Sequence, residues 1–323
     1  MIFKNAFHLL VDNFLLNYKF LLYKLVVILI TLALSAAILY PTLNTVLGGQ
    51  PFADMQILLH DFVKALTSGN TEFLQGFGDQ FQEKITALAM YIGEKTPNIV
   101  FFSVAVVLIA LIGRFLSGMG NFAFGCLLND RMSSYAKTSF FAAYIGNLGR
   151  SALWYVVYVP LTFVYDLAVI AVCYVVFLLL LGIISVGVIA SIAALMISVA
   201  LLVAAQAVKL TLYNDAVPAL VTDKLSLRAA LKKSFSFTKE RFANLFSTYL
   251  VTCLLILCIN VLFAVSTFGA ALLITVPMSY LMLICIQFAG YYSYGQRKYF
   301  LGKDKIVEPK EESADNFYDT FNL

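Results

Sequence analysis

The tract from Ser151 to Tyr213 reads SALWYVVYVPLTFVYDLAVIAVCYVVFLLLLGIISVGVIASIAALMISVALLVAAQAVKLTLY, and its reading decides the fold. Its charged residues are Asp166 and, close to its end, Lys209; Gly182 and Gly187 are its breaks. About 20 apolar residues cross a bilayer as helix, so the tract has room for two long crossings or three short ones. The flanks arbitrate. Residues 129–150 carry Arg131, Lys137 and Arg150, and residues 214–243 carry Lys224, Arg228, Lys232, Lys233, Lys239 and Arg241. Cationic connections mark the cytoplasmic side, so a tract positive at both ends crosses an even number of times. Two long spans, 151–181 and 184–213, satisfy that.

Further runs of this kind lie at 22–40, ended by Pro41, at 98–128, at 244–265 and at 270–291, the last two divided by Ser266-Thr267-Phe268-Gly269. Lys4, Lys19 and Lys24 precede the first run, and Arg297, Lys298, Lys303 and Lys305 follow the last, which predicts both termini in the cytoplasm. Composition agrees. Of 323 residues 61% are hydrophobic and 12% charged, and mean hydropathy is +0.88. A water-facing surface needs about twice that share of charge. The expectation is an all-α polytopic integral membrane protein with six spans in one transmembrane domain, 1–301, in a bacterial cytoplasmic membrane. The N-terminus does not read as a secretory signal, because its opening is amphipathic and no small-residue cleavage motif follows the first apolar run. A net charge of +4 argues against nucleic acid as a partner and leaves membrane lipids as the first one.

Three amphipathic stretches precede the odd-numbered spans. Phe3, Ala6, Phe7, Leu10, Val11, Phe14 and Leu15 share one helical face opposite Lys4, His8 and Asp12. Phe141, Tyr144, Ile145 and Leu148 form the second stripe, and Leu227, Ala230, Leu231 and Phe235, opposite Arg228, Lys232 and Lys233, the third. Helices of this type lie in the membrane interface, so three elbow helices on the cytoplasmic face are expected. Leu128-Asn129-Asp130 and Tyr213-Asn214-Asp215 both read as helix ends that cap the next element. Two readings stand: three copies of elbow helix plus hairpin, at 1–128, 138–213 and 225–295, or the cationic flanks of any positive-inside protein.

The run Tyr213-Asn214-Asp215-Ala216-Val217-Pro218, followed by Ser226-Leu227-Arg228-Ala229-Ala230-Leu231-Lys232-Lys233-Ser234-Phe235, resembles a pattern in bacterial polytopic membrane proteins. These are similar to the membrane domain that accompanies some glycerophosphodiester phosphodiesterases. The resemblance covers the middle and C-terminal half and implies a fold. It does not bring the enzymatic activity, since no phosphodiesterase barrel is present.

Residues 41–97 carry six acids against three lysines and two apolar stripes, Ile57, Leu58, Phe62, Val63, Leu66 and Phe73, Phe77, Phe81, Ile85, Leu88, Ile92, broken at Ser68-Gly69-Asn70. They predict an extracytoplasmic helical hairpin, serving as a lid, a partner-docking surface or a packed connector. Residues 302–323, rich in Glu308, Glu311, Glu312, Asp315 and Asp319, predict a flexible acidic tail, a second place for a protein partner.

No protease, nucleophile-elbow, phosphate-loop or paired-acid motif is present. Five cysteines in apolar surroundings and two distant histidines, His8 and His60, offer neither a metal site nor a cofactor site. Gly113, Gly118, Gly120 and Gly125 read as helix-packing positions. The candidates are therefore polar groups inside the spans, where a charge is costly and usually paired or functional. Arg114 and Asp166 lie about 22–24 Å from the cytoplasmic ends of their helices, at about 1.5 Å per residue, so an ion pair between them is geometrically allowed. Gln206, Asn260 and Gln287 are lesser candidates, Pro160 and Pro277 are expected to kink their helices, and Trp154, Tyr155 and Tyr158 read as interface aromatics. The expected function is that of a non-enzymatic accessory, scaffold or regulatory subunit. The alternative is a transporter or lipid-handling protein built on Arg114 and Asp166.

Overall fold

The computed structural model describes residues 2–95, 99–183, 187–236 and 238–308. It is almost entirely helical: α1 (Ile2–Asp12), α2 (Leu16–Leu47), α3 (Gln50–Ser68), α4 (Thr71–Lys95), α5 (Ile99–Ser134), α6 (Phe140–Gly146), α7 (Leu148–Ile183), α8 (Gly187–Leu212), α9 (Ala216–Val221), α10 (Leu227–Phe235), α11 (Lys239–Ser266) and α12 (Leu272–Tyr294). Strands β1 (Tyr299–Gly302) and β2 (Lys305–Val307) pair antiparallel. Six helices, α2, α5, α7, α8, α11 and α12, are long and apolar enough to cross a membrane, which makes this an all-α polytopic membrane protein. The 151–213 tract forms two helices, α7 and α8. At 36 residues α7 is about 54 Å long, well beyond a hydrocarbon core of about 30 Å.

Helix α2 does not stop at Pro41 but continues to Leu47. One missing backbone donor does not end a helix whose alternative is unpaired backbone in lipid. For the same reason α7 runs on through Pro160 and α12 through Pro277. Helix α5 passes Asn129 and Asp130 and ends at Ser134.

The chain divides into two compact units. The first comprises Met1–Val26, Phe115–Val157 and Gln206–Leu323. Its core is built from Phe122, Phe124, Leu128 and Met132 of α5, Trp154 of α7, the buried α9, Tyr249 of α11 and most of α12 from Leu281 on. Two glycines set how closely its helices approach. A Cβ at Gly118 would overlap the ring of Tyr155, and one at Gly120 would overlap the ring of Tyr23. Trp154 and Tyr155 are thereby core residues and not interface aromatics: Tyr155 fills the space that Gly118 leaves, and Trp154 meets Tyr213 edge to face. Asn5 of α1 donates to the Tyr299 hydroxyl at 2.8 Å, which ties α1 to β1. Residues 302–307, expected to open a flexible tail, instead belong to the hairpin, and the rest of that tail, 309–323, lies outside the described residues.

The second unit comprises Val27–Arg114 and Tyr158–Ala205. Within it α3 and α4 form a helical hairpin. Gly69, at φ 68°, closes α3 in the left-handed conformation that glycine adopts without strain, and Asn70 Oδ1 accepts from the Phe73 N–H to start α4. The hairpin core is Leu58, Phe62, Ala65, Leu74 and Phe77, with Phe177 and Leu181 of α7 packed against it. The stripe on α3 is Met55, Leu58, Phe62 and Ala65, a strict 3-4-3 spacing, so Ile57 and Val63 fall outside it and are exposed.

Candidate functional site

The second unit holds a pair of opposite charges within the candidate spans. Arg114, late in the apolar part of α5, and Asp166, in the middle of α7, meet: Arg114 Nη1 donates to Asp166 Oδ2 at 2.7 Å. The guanidinium also lies over the Phe163 ring, 5.2 Å from its centroid, one helical turn from Asp166 on the same face. The pair is lopsided in exposure, with the Asp166 side chain 13% exposed and that of Arg114 42%.

Gln206 on α8 is half-buried and engaged. Asn260 on α11 donates to Ser279 Oγ of α12 at 3.2 Å, while its own Oδ1 is buried without a partner. Gln287 on α12 is half-buried, Pro277 is buried and Pro160 exposed. A hydrogen bond between adjacent helices, as made by Asn260, is the usual role of a single polar residue in a span.

The first unit contains a polar lattice that the sequence did not reveal. Asp223, in the α9–α10 connection, accepts from Arg297 Nη1 at 2.7 Å, Lys233 Nζ at 2.8 Å and the Tyr291 hydroxyl at 2.5 Å. Lys233 also donates to the Tyr291 hydroxyl, and both cations lie over the Tyr291 ring. Burial alone pushes the Asp223 carboxyl up, but these hydrogen bonds outweigh it and hold the group at about 2. The same contact raises Arg297 against its own desolvation. A second group joins α8, α9 and α11: Asp215 accepts from Arg241 and from Asn214 Nδ2, and Tyr249 donates to Asn214 Oδ1 at 2.6 Å. A third centres on Asn129, whose Oδ1 accepts from Thr222 at 2.7 Å and from Tyr292 at 3.0 Å.

These contacts correct the reading of Asn129 and of Asn214-Asp215 as helix caps. Asp215 makes no capping hydrogen bond to α9, because its carboxylate is committed to Arg241 and Asn214. Lys24 on α2 is held by neutral partners, the Ser117 carbonyl and hydroxyl and Asn121 Oδ1, and by the ring faces of Phe20 and Tyr280.

Chemically, the first unit's Asp223, Asp215 and Asn129 groups are acceptor–donor clusters joining helices, with Arg241 Nε buried beside Asp215 without a partner. Among the described residues no group of three or more metal-ligating side chains converges. No protein-family model matches the chain, and neither a curated protein nor a solved structure is significantly similar to it. Its class therefore rests on the six apolar helices alone.

Proposed function

We propose that the chain is a non-enzymatic protein of the bacterial cytoplasmic membrane, acting as an accessory, scaffold or regulatory subunit of a membrane or envelope complex. The observation that carries this reading is a contrast between ends and flanks. The buried carboxylates of the first unit are committed, Asp223 to three donors and Asp215 to two, which suits a rigid platform and not an acid–base centre. The span flanks are bare by comparison: 6% of the most apolar windows of α2 and α7 is buried, against 44% for α12. Flanks of that kind are covered by lipid or by the helices of another protein.

The positive-inside distribution supports both termini in the cytoplasm. The amphipathic pattern of α1, α6 and α10 supports an interfacial position for them. In support, they leave Phe7, Val11, Phe141, Ile145 and Phe235 exposed beside exposed Lys4, Arg228 and Lys232. The order of elements, a short amphipathic helix and then two spans three times over, supports a threefold repeat. The likeness to bacterial polytopic membrane proteins bears on the fold only.

The test is mild-detergent affinity purification of the native protein, with mass spectrometry of co-eluting proteins and lipids. A stoichiometric partner, lost when α10 or residues 309–323 are deleted, is the expected result. A lone protein carrying one enriched lipid or solute would favour the second reading, a transporter or lipid-handling protein. That reading is supported by one specific observation, the Arg114–Asp166 contact within the spans.

A further inference from the structure

Arg114 is only partly used. A guanidinium has five N–H donors in a fixed planar fork, and one of them, on Nη1, meets Asp166. The other donors of Arg114 have no hydrogen-bond partner among the described residues, and the side chain is 42% exposed. The group is also oriented: Asp166 holds one corner and Phe163 covers one face, which leaves an edge turned outward. An arginine presenting unpaired N–H groups within a span is costly unless an acceptor reaches it.

The surroundings restrict what that acceptor is. Ile112 on α5 and Leu161, Val164 and Leu167 on α7 are all exposed and apolar, and they flank the pair on its own two helices. A free anion would have to cross this surface, whereas a phospholipid brings its phosphate and its acyl chains together. The two non-bridging oxygens of a phosphodiester match the fork of a guanidinium, a geometry that a lysine ammonium does not offer.

We infer that Arg114 is a phosphate-binding residue for a membrane phospholipid, with Asp166 and Phe163 as positioning residues and the apolar flank of α5 and α7 as the acyl-chain surface. This deepens the lipid-handling reading and starts from it. It names the headgroup oxygen chemistry that the pair would recognise.

The experiment is native mass spectrometry of the intact chain, purified in mild detergent and exchanged into nanodiscs of phosphatidylglycerol and phosphatidylcholine. The expected result is a retained phospholipid on the wild-type protein, reduced about tenfold in Arg114→Gln, the scale of one good charged hydrogen-bond pair. Arg114→Lys, which keeps the charge without the fork, should fall in between. It also covers the case in which Arg114→Gln does not fold. Asp166→Asn should weaken retention less than Arg114→Gln, with an unchanged list of lipids. Equal retention in wild type, Arg114→Gln and Arg114→Lys would overturn the assignment, and so would displacement of the lipid by millimolar inorganic phosphate, which would make the ligand a free anion. A leaflet-exchange assay in vesicles separates the two levels. Retention without lipid movement leaves this site standing and removes the lipid-handling reading. Movement with retention unchanged in Arg114→Gln removes the site and leaves that reading.

Discussion

Replacing Asp223 by Asn keeps the shape of the side chain and removes the charge that Arg297, Lys233 and Tyr291 converge on. The carboxyl moves from its ordinary 3.8 down to about 2. At about 1.4 kcal/mol per pH unit this corresponds to about 2 kcal/mol of stabilisation of the folded state. Lys233 and Arg297 are each more than a third exposed, so solvent screens part of it and about 1–2 kcal/mol remains. The sign follows from the direction of the shift. A depressed carboxyl contributes fully above its unfolded value near 4 and loses that contribution as pH falls through the folded value near 2. Thermal unfolding in detergent, followed by the fluorescence of a thiol-reactive dye, measures it. At pH 7 Asp223→Asn should unfold several degrees below the wild type. The gap should hold from pH 7 to 5 and close between about pH 4 and 2. Equal stability at pH 7, or a gap that stays constant down to pH 2.5, would refute the reasoning.

Three further outcomes are expected. Reversing Arg114 to Asp or Asp166 to Arg should each lower the unfolding temperature, and the double swap should recover most of the loss; a swap no better than the worse single variant means the two charges do not stabilise each other. Gly118→Ala forces its new methyl into the Tyr155 ring and should cost about 1–3 kcal/mol, the usual range for overpacking, with Gly118→Ala/Tyr155→Ala recovering part of it. Phe77→Ala removes the ring stacked on Phe62 and Phe81 and should cost about 3–5 kcal/mol, read as faster proteolysis within residues 50–95 than elsewhere.

The spans were legible because lipid imposes its rule residue by residue: every backbone group is satisfied within its own helix, so each crossing is a continuous apolar run. The Arg114–Asp166 contact was legible for a related reason. Each residue is a lone charge in an apolar run, and helix rise converts sequence position into depth. The Asp223 cluster was not legible. Its partners Lys233, Tyr291 and Arg297 lie 10, 68 and 74 positions away, and Lys233 and Arg297 read as positive-inside charge. In the sequence, Asn129 and Asn214-Asp215 read as local caps, the shortest-range use of those side chains, whereas the fold uses them for long-range ties to Tyr292, Tyr249 and Arg241. Trp154 and Tyr155 show the same ambiguity, since an aromatic near a span end serves an interface or a core equally well. Only the neighbouring Gly118 hinted at which.

The claim that the bare flanks of the spans serve a partner is tested most directly in intact membranes. A photo-crosslinking amino acid placed at Leu29 or Leu32 of α2, both exposed, reports what touches that flank. One discrete crosslinked product of constant mass is expected at both positions, absent when the probe is moved to buried Ala123. Crosslinking to lipid alone at both positions would contradict it.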